Sequence, residues 1–250
     1  MNAVRWSIVI MSTGALVLAL LERRFAYDRR PSLRNGFFTD LIGYAILQSW
    51  LLGILITAIM DFARAHTHVR LIGHWPLGLQ AAFFVVTHDF YIYWFHRLQH
   101  HSNWLWRTHE AHHSVDGLDW VAGARSHSLE ILINQTMEYL PMILLGASPL
   151  MPAIKGTISA LWGMYIHSNL DVRTGWLQYV INGPEMHRWH HAVDTGQGRV
   201  NFATKLAIWD WLFGTAHRPE KERPVAYGMP ELRYPRGWLR QHLFAFRRFD

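Results

Sequence analysis

The hydrophobic and polar positions of this chain are segregated into long blocks, and these blocks predict helices. Residues 6–21 carry no charged side chain, and residues 41–60 form a second uncharged stretch. A helix of about 20 apolar residues crosses the ~30 Å hydrocarbon layer of a bilayer. Arg5 can extend its charged head to the membrane surface at the start of the first stretch. The pattern therefore predicts two membrane-spanning helices in this part of the chain.

Three further apolar blocks follow. Residues 77–87 continue into the aromatic run 90–95 and predict a third span. Residues 129–147 and 153–170 contain Glu130, Glu138 and Lys155, and the short break between them predicts a helical hairpin. The fold class predicted is an all-α integral membrane protein with about three full transmembrane helices plus this hairpin, four to five spans in all. A buried core helix would give the same pattern, and partial insertion is a further alternative for the hairpin.

The distribution of positive charge predicts the orientation in the membrane. The net charge is +6 with His neutral, but Lys and Arg flank apolar blocks, which favours a membrane surface over nucleic acid as partner. Because Lys and Arg are enriched in cytoplasmic loops, the arginine-rich loop between the first two spans is predicted to be cytosolic. Alternation of the spans then places the His-rich segments in a cap on the same side. The charged block at 22–24 favours a retained first span over a cleaved signal peptide.

Histidine is the unusual residue of the composition. Cysteine is absent, which excludes disulfides, thiolate ligands and cysteine nucleophiles, whereas 12 of the 17 histidines lie between His88 and His191. Residues at i, i+3 and i+4 share one face of a helix, so each His cluster is predicted to point its imidazoles one way. Imidazole binds zinc, copper, iron and nickel, and the number of imidazoles suits two neighbouring ions. The clusters are an HxxxH at His96 and His100, an HxxHH at His109, His112 and His113, and an HxxHH at His187, His190 and His191.

Three residues outside the clusters are further candidates. His167 ends the second helix of the predicted hairpin and His127 precedes the first, so both are predicted to reach the depth of His96 as metal ligands. Asp89 lies seven residues before His96, which is within about 20° on a helical wheel. An ionisable side chain at a membrane boundary is a functional candidate, and Asp89 is predicted to be a catalytic residue that orients a ligand His. An ion pair between Asp89 and an arginine is the alternative.

These motifs together resemble the fatty acid hydroxylase / sterol desaturase superfamily over about residues 77–215. The resemblance rests on the run from Asp89 to Ser114 with its two His motifs, on His187-Arg-Trp-His190-His191, and on the segment 209–215. It implies an integral membrane non-haem di-iron oxygenase in which the eight clustered His bind iron. His127 matches a family position usually written Arg-x-His-Pro-x-Glu, with Ser in place of Pro here, and Asn201-Phe-Ala203 stands where the family has Asn-Tyr-Gly.

The resemblance also implies the reaction and its partners. Such enzymes use O2 and external electrons to hydroxylate or desaturate a lipid, such as a fatty acyl chain, a sterol or a related isoprenoid, taken from the bilayer. The expected cofactors are two iron ions, with zinc able to replace them during purification. Because Gly196-Gln-Gly198 lacks the context of a dinucleotide site, the electrons are expected from a ferredoxin or a cytochrome b5-type protein with its reductase.

The organisation expected is a single membrane-embedded domain, residues 1–250. It comprises N-terminal spans at 1–76, a catalytic region at 77–215 and a basic tail at 216–250, in a bacterial inner membrane or a eukaryotic endoplasmic reticulum membrane. Two other classes use the same residues. A His-liganded zinc membrane protein with a hydrolytic or structural role is one, although the clusters hold more imidazoles than one zinc ion needs. A metal or haem transporter is the other, although it would place ligands deep in several spans.

Overall fold

The computed structural model describes residues 3–29, 33–196, 198–219, 222–230 and 232–248. Within these ranges the regular structure is helical, and the β-pairing consists of isolated bridges, Ala26 with Leu170 and Ala192 with Tyr227. The all-helical prediction is thus confirmed. The helices are α1 (Ala3–Arg24), a π-helix (Thr39–Gln48) continuing into α2 (Ser49–Ala65), α3 (Leu77–His101), α4 (Asn103–His113), α5 (Ser128–Leu144), α6 (Met151–His167), α7 (Pro184–His190), α8 (Ile208–Leu212) and α9 (Trp238–Phe244).

Two helices of the described chain are long and apolar enough to cross a membrane. They are Ala3–Arg24 and the continuous helix Thr39–Ala65. α1 buries none of its side chains, and both helices expose large apolar residues such as Ile8, Trp50 and Phe62. An apolar surface of this extent is unfavourable in water and suits contact with lipid.

The other predicted segments form helices of different length. α3 has 25 residues, whereas α5 and α6 have 17 each, or about 25 Å at 1.5 Å per residue. The last two are thus somewhat shorter than the ~30 Å hydrocarbon layer. The predicted hairpin forms, and the number of complete spans stays a prediction.

The α5–α6 hairpin lies at the centre of the packing. α1 packs on α6, α2 packs on α5, and α3 packs on both α5 and α6. The short helices α4 and α7 contact α3 and α6 respectively, so they lie where those long helices end. Ser102 separates α3 from α4, and its hydroxyl accepts a hydrogen bond from the Leu105 amide, a typical N-cap. This break in the chain turns α4 back onto the end of the bundle.

A buried ion network closes the same end of the bundle. The Asp40 carboxylate, at the start of the π-helix, accepts hydrogen bonds from Arg125 at 2.6 and 3.1 Å and from Arg34 at 2.5 Å. Arg34 also pairs with Asp119. Removing one partner of a buried ion pair is strongly destabilising because the remaining charge stays uncompensated. The network therefore ties the N-terminal half to the loop that precedes α5.

Candidate metal centre

Nine buried histidines form two adjoining groups at the end of the bundle. Within each group the ring nitrogens that face one another all lie within 4.8 Å. The first imidazole group is His96, His100, His109, His113 and His190, and the second imidazole group is His112, His167, His187 and His191. The structure thus brings together nine of the ten histidines that the sequence suggested as ligands.

The two HxxHH motifs are each divided between the groups. On α4, the i and i+4 positions His109 and His113 lie in the first group, and His112 lies in the second. At α7 the division is reversed, because His187 and His191 join the second group and His190 joins the first. The expectation that each motif points all its imidazoles at one place is too simple. Three residues on one helix face still span enough arc to serve two neighbouring sites.

Hydrogen bonds at Nδ1 fix the orientation of several rings. His96 donates to the Phe202 carbonyl at 2.8 Å and His190 to the Val200 carbonyl at 2.8 Å. His112 and His167 use the carbonyls of residues 125 and 163 in the same way, at 3.1 and 2.7 Å. His109 instead pairs with the Glu130 carboxylate at 3.0 Å. A partner of this kind holds the proton on Nδ1 and directs the Nε2 lone pair inward, as in most metal-bound histidines.

The facing nitrogens have the chemistry of a cation site. Nε2 of His96 lies 3.0 Å from Nε2 of His109, and Nε2 of His112 lies 3.1 Å from Nε2 of His167. Since Nδ1 carries the proton in each of these rings, the close contact joins two lone pairs and is repulsive without a cation. Ligand nitrogens about 2.0–2.1 Å from one ion lie about 3 Å apart at right-angled coordination. The residues present therefore fit a metal ion in each group.

Burial keeps the imidazoles in the neutral form that binds metal. His112, His113, His187, His190 and His191 are all buried. Loss of hydration lowers the pKa of each of these rings well below the ordinary 6.5, and the neighbouring imidazoles lower it further. A protonated ring cannot coordinate, so this environment favours metal binding over proton binding.

Two of the predicted site residues lie outside both groups. His127 precedes α5, where Nδ1 accepts from the Leu129 amide and Nε2 donates to the His242 carbonyl. The Asp89 carboxylate is fully buried and holds the segment 204–209. It accepts from Thr204 Oγ1, the amides of Lys205 and Leu206, and Trp209 Nε1 at 2.7–3.1 Å. That segment follows Phe202, whose carbonyl orients His96. Asp89 therefore acts on the site indirectly, by holding the main chain next to Phe202.

A cavity of about 180 Å³ adjoins both imidazole groups. It lies between α3, α5 and α6, and its apolar wall includes Ile92, Phe95, Trp162 and Ile166. The ligand candidates His96, His109, His112, His167 and His187 line the same cavity. A molecule in this cavity would lie directly against the candidate metal centre.

Sequence reasoning missed the main-chain contributions to the centre. The carbonyl groups that orient His96 and His190 belong to Phe202 and Val200, and a carbonyl has no sequence signature. Gly198 also supports the site. It has φ +81°, and a Cβ there would meet the His190 carbonyl, His113 Cε1 at 2.7 Å and His100 Cε1 at 3.0 Å. The glycine at position 198 was the feature of the sequence that could have indicated this close approach.

Comparison with known proteins agrees with this arrangement. Residues 81–215 match the sequence model of the fatty acid hydroxylase family. The ornithine lipid hydroxylase of Rhizobium tropici is 31% identical over 261 residues, covering 99% of this chain and 77% of that protein. No solved structure matches the chain.

For two further relatives, the alignment with this chain covers a smaller share of the relative. The alkylglycerol monooxygenase of Xenopus tropicalis is 35% identical over 141 residues, covering 56% of this chain and 31% of that protein. A sterol 5(6)-desaturase of Gibberella zeae is 25% identical over 218 residues, covering 83% of this chain and 66% of that protein. This chain thus spans about a third of the alkylglycerol monooxygenase. The relatives are hydroxylases, monooxygenases and desaturases, so the resemblance seen in the His motifs is confirmed, and the chain belongs to the fatty acid hydroxylase family of oxidoreductases.

Proposed function

We propose that this protein is a non-haem di-iron membrane oxygenase that hydroxylates, or desaturates, a lipid drawn from the bilayer. The observation that carries the proposal is the pair of buried imidazole groups, whose facing lone pairs suit two cations beside a largely apolar cavity. Iron bound there supplies the redox chemistry that O2 activation requires, which zinc lacks. In hydroxylation, one oxygen atom of O2 enters a C–H bond and the other leaves as water, with two electrons and two protons consumed.

The side chains of this protein provide binding, orientation and exclusion of water. Five of the nine imidazoles are held by a main-chain carbonyl or by Glu130, so much of the donor set is oriented before a metal binds. Ile92, Phe95 and Trp162 give the cavity walls that accept an alkyl segment of a lipid. Asp89, expected from the sequence to be catalytic, is proposed as a positioning residue through its four hydrogen bonds to the segment 204–209.

The membrane setting and electron supply are part of the same proposal. The exposed apolar surfaces of α1 and α2 support insertion, with the His groups on the cytosolic side, in a bacterial inner membrane or an endoplasmic reticulum membrane. Because the cavity lies between α3, α5 and α6, the substrate is proposed to enter laterally from the lipid. Electrons come from a separate ferredoxin or cytochrome b5-type carrier, which the positive net charge of the chain attracts if the carrier is acidic.

Metal counting on matched histidine variants tests the proposal. Protein purified anaerobically from iron-supplied cells should hold close to two irons per chain, with magnetic coupling in the Mössbauer spectrum of 57Fe material. His100→Ala should lose iron because His100 belongs to the first imidazole group. His101→Ala should retain it, since the adjacent His101 is exposed and its Nδ1 donates to the Arg97 carbonyl of its own helix.

Two results would contradict the proposal. Stoichiometric zinc, with no O2 consumption after iron reconstitution, would favour the hydrolytic or structural zinc protein. Equal iron in both variants would show that the imidazole groups are not the iron site. Lipid profiling of a deletion strain then distinguishes a missing hydroxyl group from a missing double bond and identifies the substrate.

A further inference from the structure

An exposed aromatic surface lies beside α3, outside the stretches that the sequence predicted as spans. It is formed by residues 176–181, which begin in the 3₁₀ helix Gly175–Tyr179, and by α8. Trp176 is 72% exposed and Leu212 is 66% exposed. We call residues 176–181 and 208–212 together the aromatic patch. Its other exposed apolar residues are Leu177, Tyr179, Val180, Ile181, Ile208 and Trp211.

The two segments of the aromatic patch form one uncharged surface. The rings of Tyr179 and Trp211 lie 4.6 Å apart, and Trp211 Nε1 donates to the Gln178 carbonyl at 2.9 Å. Asp210 is the only charged residue of the two segments. Its carboxylate is fully buried and accepts from the main-chain amides at 202–203. A contiguous apolar surface without charge marks a site of interaction with another apolar surface.

The aromatic patch continues an apolar stripe on the outer side of α3. The stripe consists of exposed residues that recur every four or seven positions and therefore share one side of the helix. It extends over about 28 Å at 1.5 Å per residue, close to the thickness of the hydrocarbon layer. The Trp94 ring of this stripe lies 4.9 Å from Phe213, which directly follows α8. The stripe residues are Leu79, Val86, Phe90, Trp94 and Leu98.

The attachment of α8 to α3 determines its depth. The Asp89 carboxylate holds the main chain that leads into α8, through the amides of Lys205 and Leu206. At the same level, the Phe90 and Trp209 rings lie 5.1 Å apart. Asp89 lies seven residues before His96, which is about 10 Å along the helix axis. Because α3 ends at the imidazole groups, α8 lies nearer the N-terminal end of α3, and so nearer the middle of the bilayer, than these groups do.

We propose that the aromatic patch is an interfacial anchor, which inserts into the leaflet on the side of the imidazole groups without crossing the bilayer. Its partner is the lipid surface. Trp and Tyr are enriched at membrane boundaries, and segments that lie in this plane bury their apolar side about 5–10 Å deep. An acidic electron carrier would need a basic surface, and the aromatic patch has none. The inference rests on the proposed membrane setting but on neither iron nor the reaction.

The anchor gives the bilayer a direct connection to the candidate metal centre. α8 follows the segment that begins after Phe202, and the Phe202 carbonyl orients His96 at 2.8 Å. The same segment is tied to residues 176–181, because the Asn182 amide donates to the Lys205 carbonyl at 2.8 Å. Insertion of the aromatic patch therefore fixes the height of the imidazole groups above the lipid.

Spin labels at single cysteines test the proposal. The chain has no cysteine, so one introduced residue is labelled specifically. Trp176→Cys and Leu212→Cys place a nitroxide in the aromatic patch. Ile54→Cys on α2 is the lipid reference, and Val225→Cys is the water reference because Val225 is 89% exposed beside the Asp194 carboxylate. All four side chains are exposed, so folding should be unaffected. Collisions with O2, which concentrates in lipid, and with a water-soluble nickel chelate are measured in nanodiscs.

The ratio of O2 to nickel collisions decides the outcome. At both patch positions it should approach the value at Ile54 and exceed that at Val225 several-fold. A ratio like that at Val225 would overturn the proposal. Few collisions with either reagent at an immobilised label would also overturn it, because a second copy or another protein would then cover the patch. A water-like ratio at Ile54 would reject the membrane setting and this inference with it.

Quenching by brominated lipids distinguishes an interfacial anchor from a spanning segment. A fluorophore on Leu212→Cys should be quenched more by lipids brominated near the headgroup than by lipids brominated near the end of the acyl chain. Ile54 lies near the middle of the Thr39–Ala65 helix and should show the opposite order. Stronger quenching of the Leu212→Cys label by the deep bromines would overturn the interfacial placement. Since neither measurement needs bound iron or turnover, loss of the oxygenase proposal would leave this result standing.

Discussion

Asp89 connects the helical bundle to the loop that orients a candidate metal ligand, and its substitution by asparagine gives a sharp prediction. Its Oδ1 accepts from Thr204 Oγ1 and the Lys205 amide, and its Oδ2 accepts from the Leu206 amide and Trp209 Nε1. Asparagine keeps one acceptor oxygen. In the place of Oδ2, the new NH2 group faces two N–H donors, so two hydrogen bonds and the negative charge are lost.

The expected cost follows from these contacts. A hydrogen bond to a charged group contributes about 1.5–3 kcal/mol, so losing two costs about 3–6 kcal/mol. Proteins of this size shift by about 2–4 °C in unfolding temperature per kcal/mol, which predicts a fall of roughly 6–24 °C. The loosened segment follows Phe202, whose carbonyl fixes His96, so iron occupancy should fall as well.

Thermal unfolding in detergent and iron content per chain measure both effects. Asp61→Asn is the matched control, because Asp61 is 61% exposed and pairs only with the exposed Arg64 among the described residues. That pair contributes about 0–1 kcal/mol, so the control should be nearly unchanged. If Asp89→Asn kept the unfolding temperature and the iron of the wild type, the reasoning would be refuted. Loss of turnover alone in such a variant would instead place Asp89 in the chemistry.

Two further predictions concern the imidazole groups. Gly198→Ala should lose iron because the added Cβ meets the rings of His113 and His100. Gly214→Ala is the control and should keep its iron, since Gly214 also has a positive φ but nothing lies near its Cβ position. The iron content per chain measures both effects, and equal retention would contradict the packing argument. The second prediction concerns pH. Burial holds the pKa values of His112, His113, His187 and His190 well below 6.5, so below pH 6.5 the unfolded chain binds protons that the folded metal-free protein does not. Stability should therefore be retained above pH 6.5 and lost as the pH falls, and an unfolding temperature equal at pH 7.5 and 5.5 would show that these rings are not buried neutral.

Much of the candidate centre could be predicted because its information is local. The spacing of HxxxH and HxxHH identified eight of the nine grouped histidines, since residues at i, i+3 and i+4 necessarily share a helix face. His167 was found from its expected place at a helix end. His127 was proposed by the same reasoning, but the structure places it against His242. A residue at the start of a helix can lie at the same depth in the membrane as the ligands and still direct its side chain away from them.

The helices themselves also followed from the sequence, because uncharged stretches of this length are stable only as helices or as buried cores. Residues 41–60 lie within the observed Thr39–Ala65 helix, and the hairpin appears as α5 and α6. The sequence did not predict which of these helices pack against one another. Which faces meet depends on the shapes of many side chains at once, and single positions do not encode this.

Tertiary structure alone decided how the histidines are shared between two sites. The crossing of α4 and α7 assigns His112 to one group and His190 to the other, and no spacing rule within one helix distinguishes them. The same holds for Lys155, Glu138 and His88, polar residues of apolar segments that lie on three different helices and hydrogen-bond to one another in the bundle. The sequence by itself determined the helices, the ligand type and nearly all the ligands. The division of ligands, the carbonyl groups that orient them and the cavity beside them arise only when separate helices pack, because each depends on atoms distant in the chain.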